Sequence, residues 1–212
     1  MNFKRRAALL LSLVMTTAAL AGCGGTSTSQ TGDQSGAAND SQGAAAASGE
    51  VLTVIGGSYV AFNRPVPSAI GNPEMWIAKS PDLIHWGEQK HFCGLNIEDE
   101  DAWDNGRIGG GAVPFLTERG WVKIYHAANK EDRYCLGAFL LDKDDPSKVL
   151  AKTRQPILTP EADYEVDGFF GNVVFTCGCL VKDRVVSIYY GAADDKICRA
   201  DCTIDDIFEA ME

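Results

Sequence analysis

Val185-Val186-Ser187-Ile188-Tyr189-Tyr190-Gly191-Ala192-Ala193-Asp194 is a β-branched and aromatic run that ends in a polar turn, and it has two earlier counterparts. These are Trp121-Val122-Lys123-Ile124-Tyr125-His126-Ala127-Ala128-Asn129 and Tyr59-Val60-Ala61-Phe62-Asn63-Arg64, at steps of about sixty residues. Each reads as a strand. Each is followed by a second strand-like run: Lys196 to Ala200, Tyr134 to Leu141, and Met75 to Ala78. The two later copies align at Tyr125-His126-Ala127-Ala128-Asn129 and Tyr190-Gly191-Ala192-Ala193-Asp194. A fixed period with at least two strands per unit predicts an all-β chain of radially repeated sheets, the blades of a propeller. A single antiparallel sandwich with chance internal similarity is the alternative.

Ahead of the repeats the chain changes character. Lys4, Arg5 and Arg6 precede an apolar run from Ala7 to Leu20, and Leu20-Ala21-Gly22-Cys23 is a small-residue cleavage site ending in cysteine. This reads as an export signal over residues 1–22, outside any fold and too short to span a bilayer stably. The box resembles the bacterial lipoprotein signal, which implies lipidation of Cys23. Residues 24–50 are Gly, Ala, Ser, Thr, Gln, Asn and Asp with almost nothing else, so they lack the apolar surface needed for order and read as a flexible tether. Together these features predict an extracytoplasmic protein held at the membrane by its lipid, with residues 51–212 as a single folded domain.

Loss of Lys4, Arg5 and Arg6 with the leader takes the formal net charge from −10 to −13. Such acidity argues against nucleic acid and anionic lipid headgroups as partners. Six cysteines remain beyond Cys23: Cys93, Cys135, Cys177, Cys179, Cys198 and Cys202. Cys135, Cys177 and Cys198 stand in apolar strand contexts that favour free, buried thiols, although an even number in an exported chain leaves disulfides open. Cys177-Gly178-Cys179 has no second pair at metal-ligand spacing, so no metal site is expected. One helix is predicted, Asp205 to Glu212, capped by Thr203 or Asp205. Pro81-Asp82 and Asp144-Asp145-Pro146-Ser147 read as turns.

Trp103 to Pro114 contains Gly109-Gly110-Gly111 beside Arg107, a glycine-rich loop able to approach an anion closely. Arg64, Arg107 and His126 fall at strand ends or in this loop, alongside Asn129, Glu165 and Asp194. In a propeller such ends converge on one funnel, which makes the set a candidate pocket. Asn129 and Asp194 also suit side-chain turns after their strands, and His126 also suits a histidine packed on the sheet.

Asn63-Arg64-Pro65, Ser80-Pro81-Asp82-Leu83-Ile84-His85-Trp86-Gly87, Gly120-Trp121-Val122-Lys123-Ile124-Tyr125-His126, Leu140-Leu141-Asp142 with Asp145-Pro146, Tyr164-Glu165 with Gly168, and Asn172-Val173-Val174-Phe175 through Asp194 resemble glycoside hydrolase family 130. The likeness spans nearly all of Val51 to Phe208. It implies part of a five-bladed β-propeller, about three blades, and phosphorolysis of β-mannosides, with inorganic phosphate as co-substrate and α-mannose 1-phosphate as product. By resemblance Arg64, Arg107 and His126 bind phosphate, with Arg107 standing where many members carry lysine. Asp194, Tyr164, Glu165 and Asn129 match substrate contacts. The family's proton-donating aspartate precedes the Arg-Pro block, where this chain has leader and tether. A general acid contributes about 100- to 10,000-fold, so the chain is expected to be inactive alone unless a complementing chain or an oligomer supplies that part. The other readings are a lipid-anchored glycan-binding protein without catalysis and a truncated gene fragment.

Overall fold

Hairpins dominate the fold because apolar residues recur every second position, and short turns of two and three residues join the last three strands. Asp183-Arg184 and Ala193-Asp194 all carry φ between 48° and 61°, the left-handed pair of a type I′ turn, whose twist matches that of the strands it joins. The structure, a computed structural model, describes residues 4–6, 51–55, 57–65 and 71–212, with side chains from residue 57 onward, Cys177 excepted.

After β1 (Lys4–Arg6) come three antiparallel sheets in chain order. The first pairs β2 (Val51–Ile55), β3 (Ser58–Asn63), β4 (Met75–Ser80) and β5 (Gly87–Cys93) in sequence. The second contains β6 (Arg107–Gly111), β7 (Phe115–Leu116), β8 (Trp121–Ala128), β9 (Tyr134–Leu141) and β10 (Val149–Lys152), ordered β10-β9-β8-β6 with β7 also on β8. The short helix α1 (Asp163–Val166) leads into the third sheet, β11 (Val174–Lys182), β12 (Val185–Ala192) and β13 (Lys196–Thr203), followed by α2 (Ile204–Glu209).

Burial shows how the sheets are layered. All residues of β8 after Trp121 and of β9 after Tyr134 are buried, so the second sheet is covered on both faces. On one face Val122, Ile124, Leu136 and Ala138 meet Val186, Ile188, Tyr190 and Ala200 of the third sheet. On the other, Tyr125, Ala127, Phe139 and Leu141 meet Val60, Phe62, Met75 and Ile77 of the first. Burial of each large side chain contributes roughly 1.5–3 kcal/mol. Phe62, Phe92, Phe139 and Tyr125 form an aromatic chain with successive centroids 5.0, 5.3 and 4.3 Å apart, which fixes the register of this interface. In β12, by contrast, Val186, Ile188, Tyr190 and Ala192 are buried and the alternate residues are half-buried or exposed.

Several expectations change. Residues 109–111 belong to β6 rather than to a loop. The leader is expected to stand outside any fold, yet Lys4, Arg5 and Arg6 pair with Asp201, Ala200 and Arg199 of β13. The outer edge of β13 offers free backbone groups, which a strand of almost any sequence satisfies. Residues 7–22, Cys23 and the tether 24–50 lie outside the described residues. The C-terminal helix starts at Ile204 and ends at Glu209. Thr203 Oγ1 accepts from Asp206 N at 3.1 Å while the Asp206 carboxylate accepts from Thr203 N at 2.7 Å, a reciprocal cap. No basic residue stands in its last turn to favour extension towards Glu212. Cys93, Cys135, Cys179, Cys198 and Cys202 are free thiols.

Candidate functional site

The pairing of β6, β8 and β9 puts two rows of side chains on one face of the second sheet. Arg107 pairs with Ala128 and Ala128 with Tyr134; Gly109 pairs with His126 and His126 with Leu136. Residues two apart on a strand share a face about 7 Å apart, so Arg107 and His126 are neighbours across a surface that Gly109 leaves open. That opening is filled by the protein. A Cβ at Gly109 would stand 2.5 Å from His126 Nε2 and 3.4 Å from Arg64 Nη1, so the glycine admits the imidazole and the guanidinium together. Gly111, at φ 156°, serves the packing between sheets instead, since a Cβ there would meet Ile124 O at 2.5 Å and Thr176 Cγ2 at 2.8 Å.

Arg64 reaches this place from the residue after β3, and its Nη1 is buried without a hydrogen-bond partner among the described residues. His126 is buried on β8, its ring 3.9 Å from that of Phe175 on β11 at an interplanar angle of 32°. Its Nδ1 likewise lacks a partner among the described residues. Burial first, then the charges of Arg64 and Lys123, pulls its pKa down to about 3. The ring is therefore neutral near pH 7, with one nitrogen donating and one accepting. Arg107 is engaged: Nη1 donates to Tyr134 Oη at 3.1 Å and Nη2 pairs with Asp132 Oδ1 at 2.5 Å.

The remaining expected residues separate into two further places. Asn129 forms the β8–β9 turn, where its Oδ1 accepts from Arg133 N at 2.9 Å. Asp194 is exposed at the β12–β13 turn. Tyr164 lies on α1, half-buried against the core between the second and third sheets. Glu165 is fully buried: Oε1 accepts from Tyr190 Oη at 2.6 Å and Oε2 from the Glu161 and Ala162 backbones at 2.8 and 2.9 Å. It braces α1 against β12 from behind. Arg107 and Asn129 stand at one end of the second sheet, while Arg64 and Asp194 follow the C-terminal ends of β3 and β12. The Ser80–Gly87 segment stands at the opposite end of the first sheet from Arg64, where the Asp82 carboxylate accepts from Ile84 N and His85 N at 2.9 and 2.8 Å.

Sequence reasoning did not single out Tyr134, Phe175, Asp132 or Lys123. Tyr134 and Arg107 could have been linked by register alone, since both oppose Ala128. Lys123 projects from the other face of β8, wholly buried, its Nζ 4.8 Å from the Phe62 ring centroid and without a hydrogen-bond partner among the described residues. Burial lowers its pKa to about 7, with a small opposing effect from Cys179.

A stack of antiparallel sheets with a guanidinium and a neutral imidazole brought together over Gly109 is an all-β architecture with a buried basic site. Residues 38–212 match the family described as beta-1,4-mannooligosaccharide phosphorylase, and the chain belongs to that family, glycoside hydrolase family 130, aligning with its C-terminal portion. It is 46% identical over 158 residues to a beta-1,2-mannobiose phosphorylase of Listeria innocua, covering 74% of this chain and 44% of that protein. It is 43% identical over 143 residues to a 1,2-beta-oligomannan phosphorylase of a Thermoanaerobacter species, covering 68% of this chain and 45% of that protein. The solved structure of the Listeria beta-1,2-mannobiose phosphorylase with beta-1,2-mannobiose matches at a TM-score of 0.73 and 43% identity, over 77% of this chain and 46% of that one. The chain thus spans less than half the length of the curated relatives it matches.

Proposed function

We propose that this chain provides the phosphate-binding and part of the mannoside-binding wall of a β-mannoside phosphorylase. The three sheets are consecutive blades of a five-bladed propeller, and the Arg64–His126 pocket lies where their strand ends meet. The supporting observation is that two buried polar atoms, Arg64 Nη1 and His126 Nδ1, lack partners among the described residues, on two side chains that both lie close to Gly109. Buried groups of this kind are costly unless something satisfies them. Phosphate suits both, because a guanidinium grips two of its oxygens as a fork and a neutral imidazole N–H donates to a third. Arg107 stands beside them with its charge largely compensated by Asp132. Phosphate attack on the anomeric carbon of a β-mannoside, with protonation of the leaving oxygen, yields α-mannose 1-phosphate.

Residues 51–63 contain no Asp or Glu, so no carboxyl group there donates that proton ahead of Arg64. We therefore assign binding to this chain and make turnover depend on an acid that residues 51–63 do not supply. This same observation favours the second reading, a lipid-anchored surface protein that binds glycan without catalysis. The Lys4–Cys23 leader supports an extracytoplasmic position for either.

Calorimetry on the purified chain distinguishes these outcomes. Phosphate should bind, Arg64→Met should weaken that binding at least about 10-fold, and β-1,2-mannobiose with phosphate should yield little mannose 1-phosphate. No phosphate binding, or binding indifferent to Arg64, refutes the assignment. Rapid phosphorolysis by the isolated chain refutes the missing-acid argument.

A further inference from the structure

The Ser80–Gly87 segment borders a cleft of about 380 Å³, lined in part by Ser58, Lys79, Ser80, His85, Trp86 and Glu88. That volume falls in the lower part of the range for ligand sites, about 300–1,000 Å³. The cleft is remote from the phosphate pocket. Ser58 opens β3 and Arg64 follows its end, six residues or roughly 20 Å along an extended strand.

The lining is held in place from within the segment. Asp82, which already takes two backbone N–H groups, also pairs through Oδ2 with His85 Nδ1 at 2.7 Å. Because that contact uses Nδ1, the largely exposed His85 ring keeps Nε2 for solvent or a ligand. Trp86 is half-buried, and its Nε1 donates to Leu83 O at 3.1 Å, which fixes the indole to its own loop. Across the cleft Lys79 Nζ and Glu88 Oε2 stand 3.7 Å apart. This is longer than a hydrogen bond, so the ammonium and the carboxylate both retain bonding capacity. Glu88 has φ 49°, and the β4–β5 register shifts between Ile77 and Lys79. An irregularity of this kind re-aims the side chains beside it.

We propose that this cleft binds a pyranose unit of a β-mannoside chain, away from the place where phosphate attacks. Its lining selects a neutral polyol. Lys79 disfavours a cation and Glu88 an anion, whereas sugar hydroxyls both donate and accept and so satisfy the two together. The indole in the lining supplies the apolar surface that the C–H side of a sugar ring requires. A loop already fixed by Asp82 and Leu83 lowers the ordering cost of binding. The inference rests on the mannoside reading given above and adds to it a second sugar site.

The chain has four tryptophans, so labelling the full chain with 5-fluorotryptophan resolves the indoles, and Trp86→Phe identifies the Trp86 resonance. β-1,2-Mannobiose, β-1,4-mannobiose and inorganic phosphate are titrated separately. The Trp86 resonance should move saturably with at least one mannobiose and stay still with phosphate. Glu88→Gln and Lys79→Met should each weaken that response about 3- to 10-fold, whereas Arg64→Met should leave it unchanged. Mannobiose binding by calorimetry with a silent Trp86 overturns the cleft and leaves the mannoside reading standing. Phosphate binding with no binding of either mannobiose overturns both. A Trp86 response that is indifferent to Glu88→Gln and Lys79→Met, that vanishes in Arg64→Met, or that follows phosphate overturns the cleft as a separate sugar site.

Discussion

Lys123→Met should make this protein more stable, and the gain should shrink as pH rises. The ammonium sits in an apolar interface over Phe62, with no hydrogen-bond acceptor among the described residues. Burial takes its pKa from 10.5 to about 7, and a shift of that size corresponds to about 5 kcal/mol between the protonation states. The contact with the Phe62 ring returns about 1–2 kcal/mol, which leaves a net penalty of about 3 kcal/mol at pH 7. Methionine fills nearly the same volume without a charge.

Between about pH 7 and 10.5 the unfolded lysine holds more proton than the folded one, so wild-type stability rises with pH across that window. The advantage of the variant should therefore fall by about 2 kcal/mol from pH 7 to pH 9. Staying below pH 9 keeps the Cys179 thiol, pushed up to about 11 by burial, out of the comparison. Urea midpoints of both proteins at the two pH values give the difference directly, because other titrating groups cancel. A midpoint unchanged at pH 7, or a gain that stays constant to pH 9, refutes the reasoning.

Gly109→Ala places a methyl group 2.5 Å from His126 Nε2; it should cost about 1–3 kcal/mol and lower phosphate affinity at least about 10-fold by displacing the ring, as read by calorimetry. For His126, whose pKa is about 3, the unfolded state takes up a proton between pH 6.5 and 3, so stability is lost as pH falls through that range. His126→Gln should flatten this acid limb, sparing about 3 kcal/mol between pH 6.5 and 4, and parallel limbs in the two proteins would contradict the burial of a neutral ring. Glu165→Ala strands the Tyr190 hydroxyl and two backbone donors; a loss under about 1 kcal/mol, against about 3 expected, would show that α1 does not depend on the carboxylate. Phosphate at about 100 times its dissociation constant should stabilise wild type by about 2.7 kcal/mol in thermal unfolding, with no such effect in Arg64→Met.

The hairpins are legible because period-two alternation and turn residues coincide in the runs at Trp121, Tyr134, Val185 and Lys196. For Tyr134 to Leu141 the pattern in the sequence has the same bounds as the strand in the structure. β6 is not legible, since glycines have no strand propensity and its ladder depends on β8, some twenty residues away. β5 carries Glu88, Gln89 and Lys90 on an exposed edge, so no core face shows in its pattern. Residue type makes Arg64 and His126 candidates, and the structure brings the two together over Gly109, but types do not reveal commitments. Glu165 looks like a substrate contact in sequence and becomes a buried brace only once Tyr190 faces it.

Lys123 and His126 show why the inside of the stack matters more than the motif that contains both. In Trp121 to His126 the β-branched and aromatic residues mark a strand but do not say that both of its faces are covered. The second sheet has no wet face at these positions, because the first and third sheets cover its two sides. One strand therefore carries an ammonium on one side and an imidazole on the other, both deprived of water, with Arg64 adding a third basic group at the sheet edge. In a chain of net charge −10, acidic groups are plentiful, yet none lies within hydrogen-bond reach of the Lys123 ammonium or the buried Arg64 Nη1 among the described residues. Cations kept from carboxylates, as Lys123 and Arg64 Nη1 are, hold local positive potential in a low-dielectric place, where attraction for an anion is strongest. On this view the destabilising burial of Lys123 and the phosphate affinity proposed for Arg64 and His126 have one origin, the two-sided covering of β8.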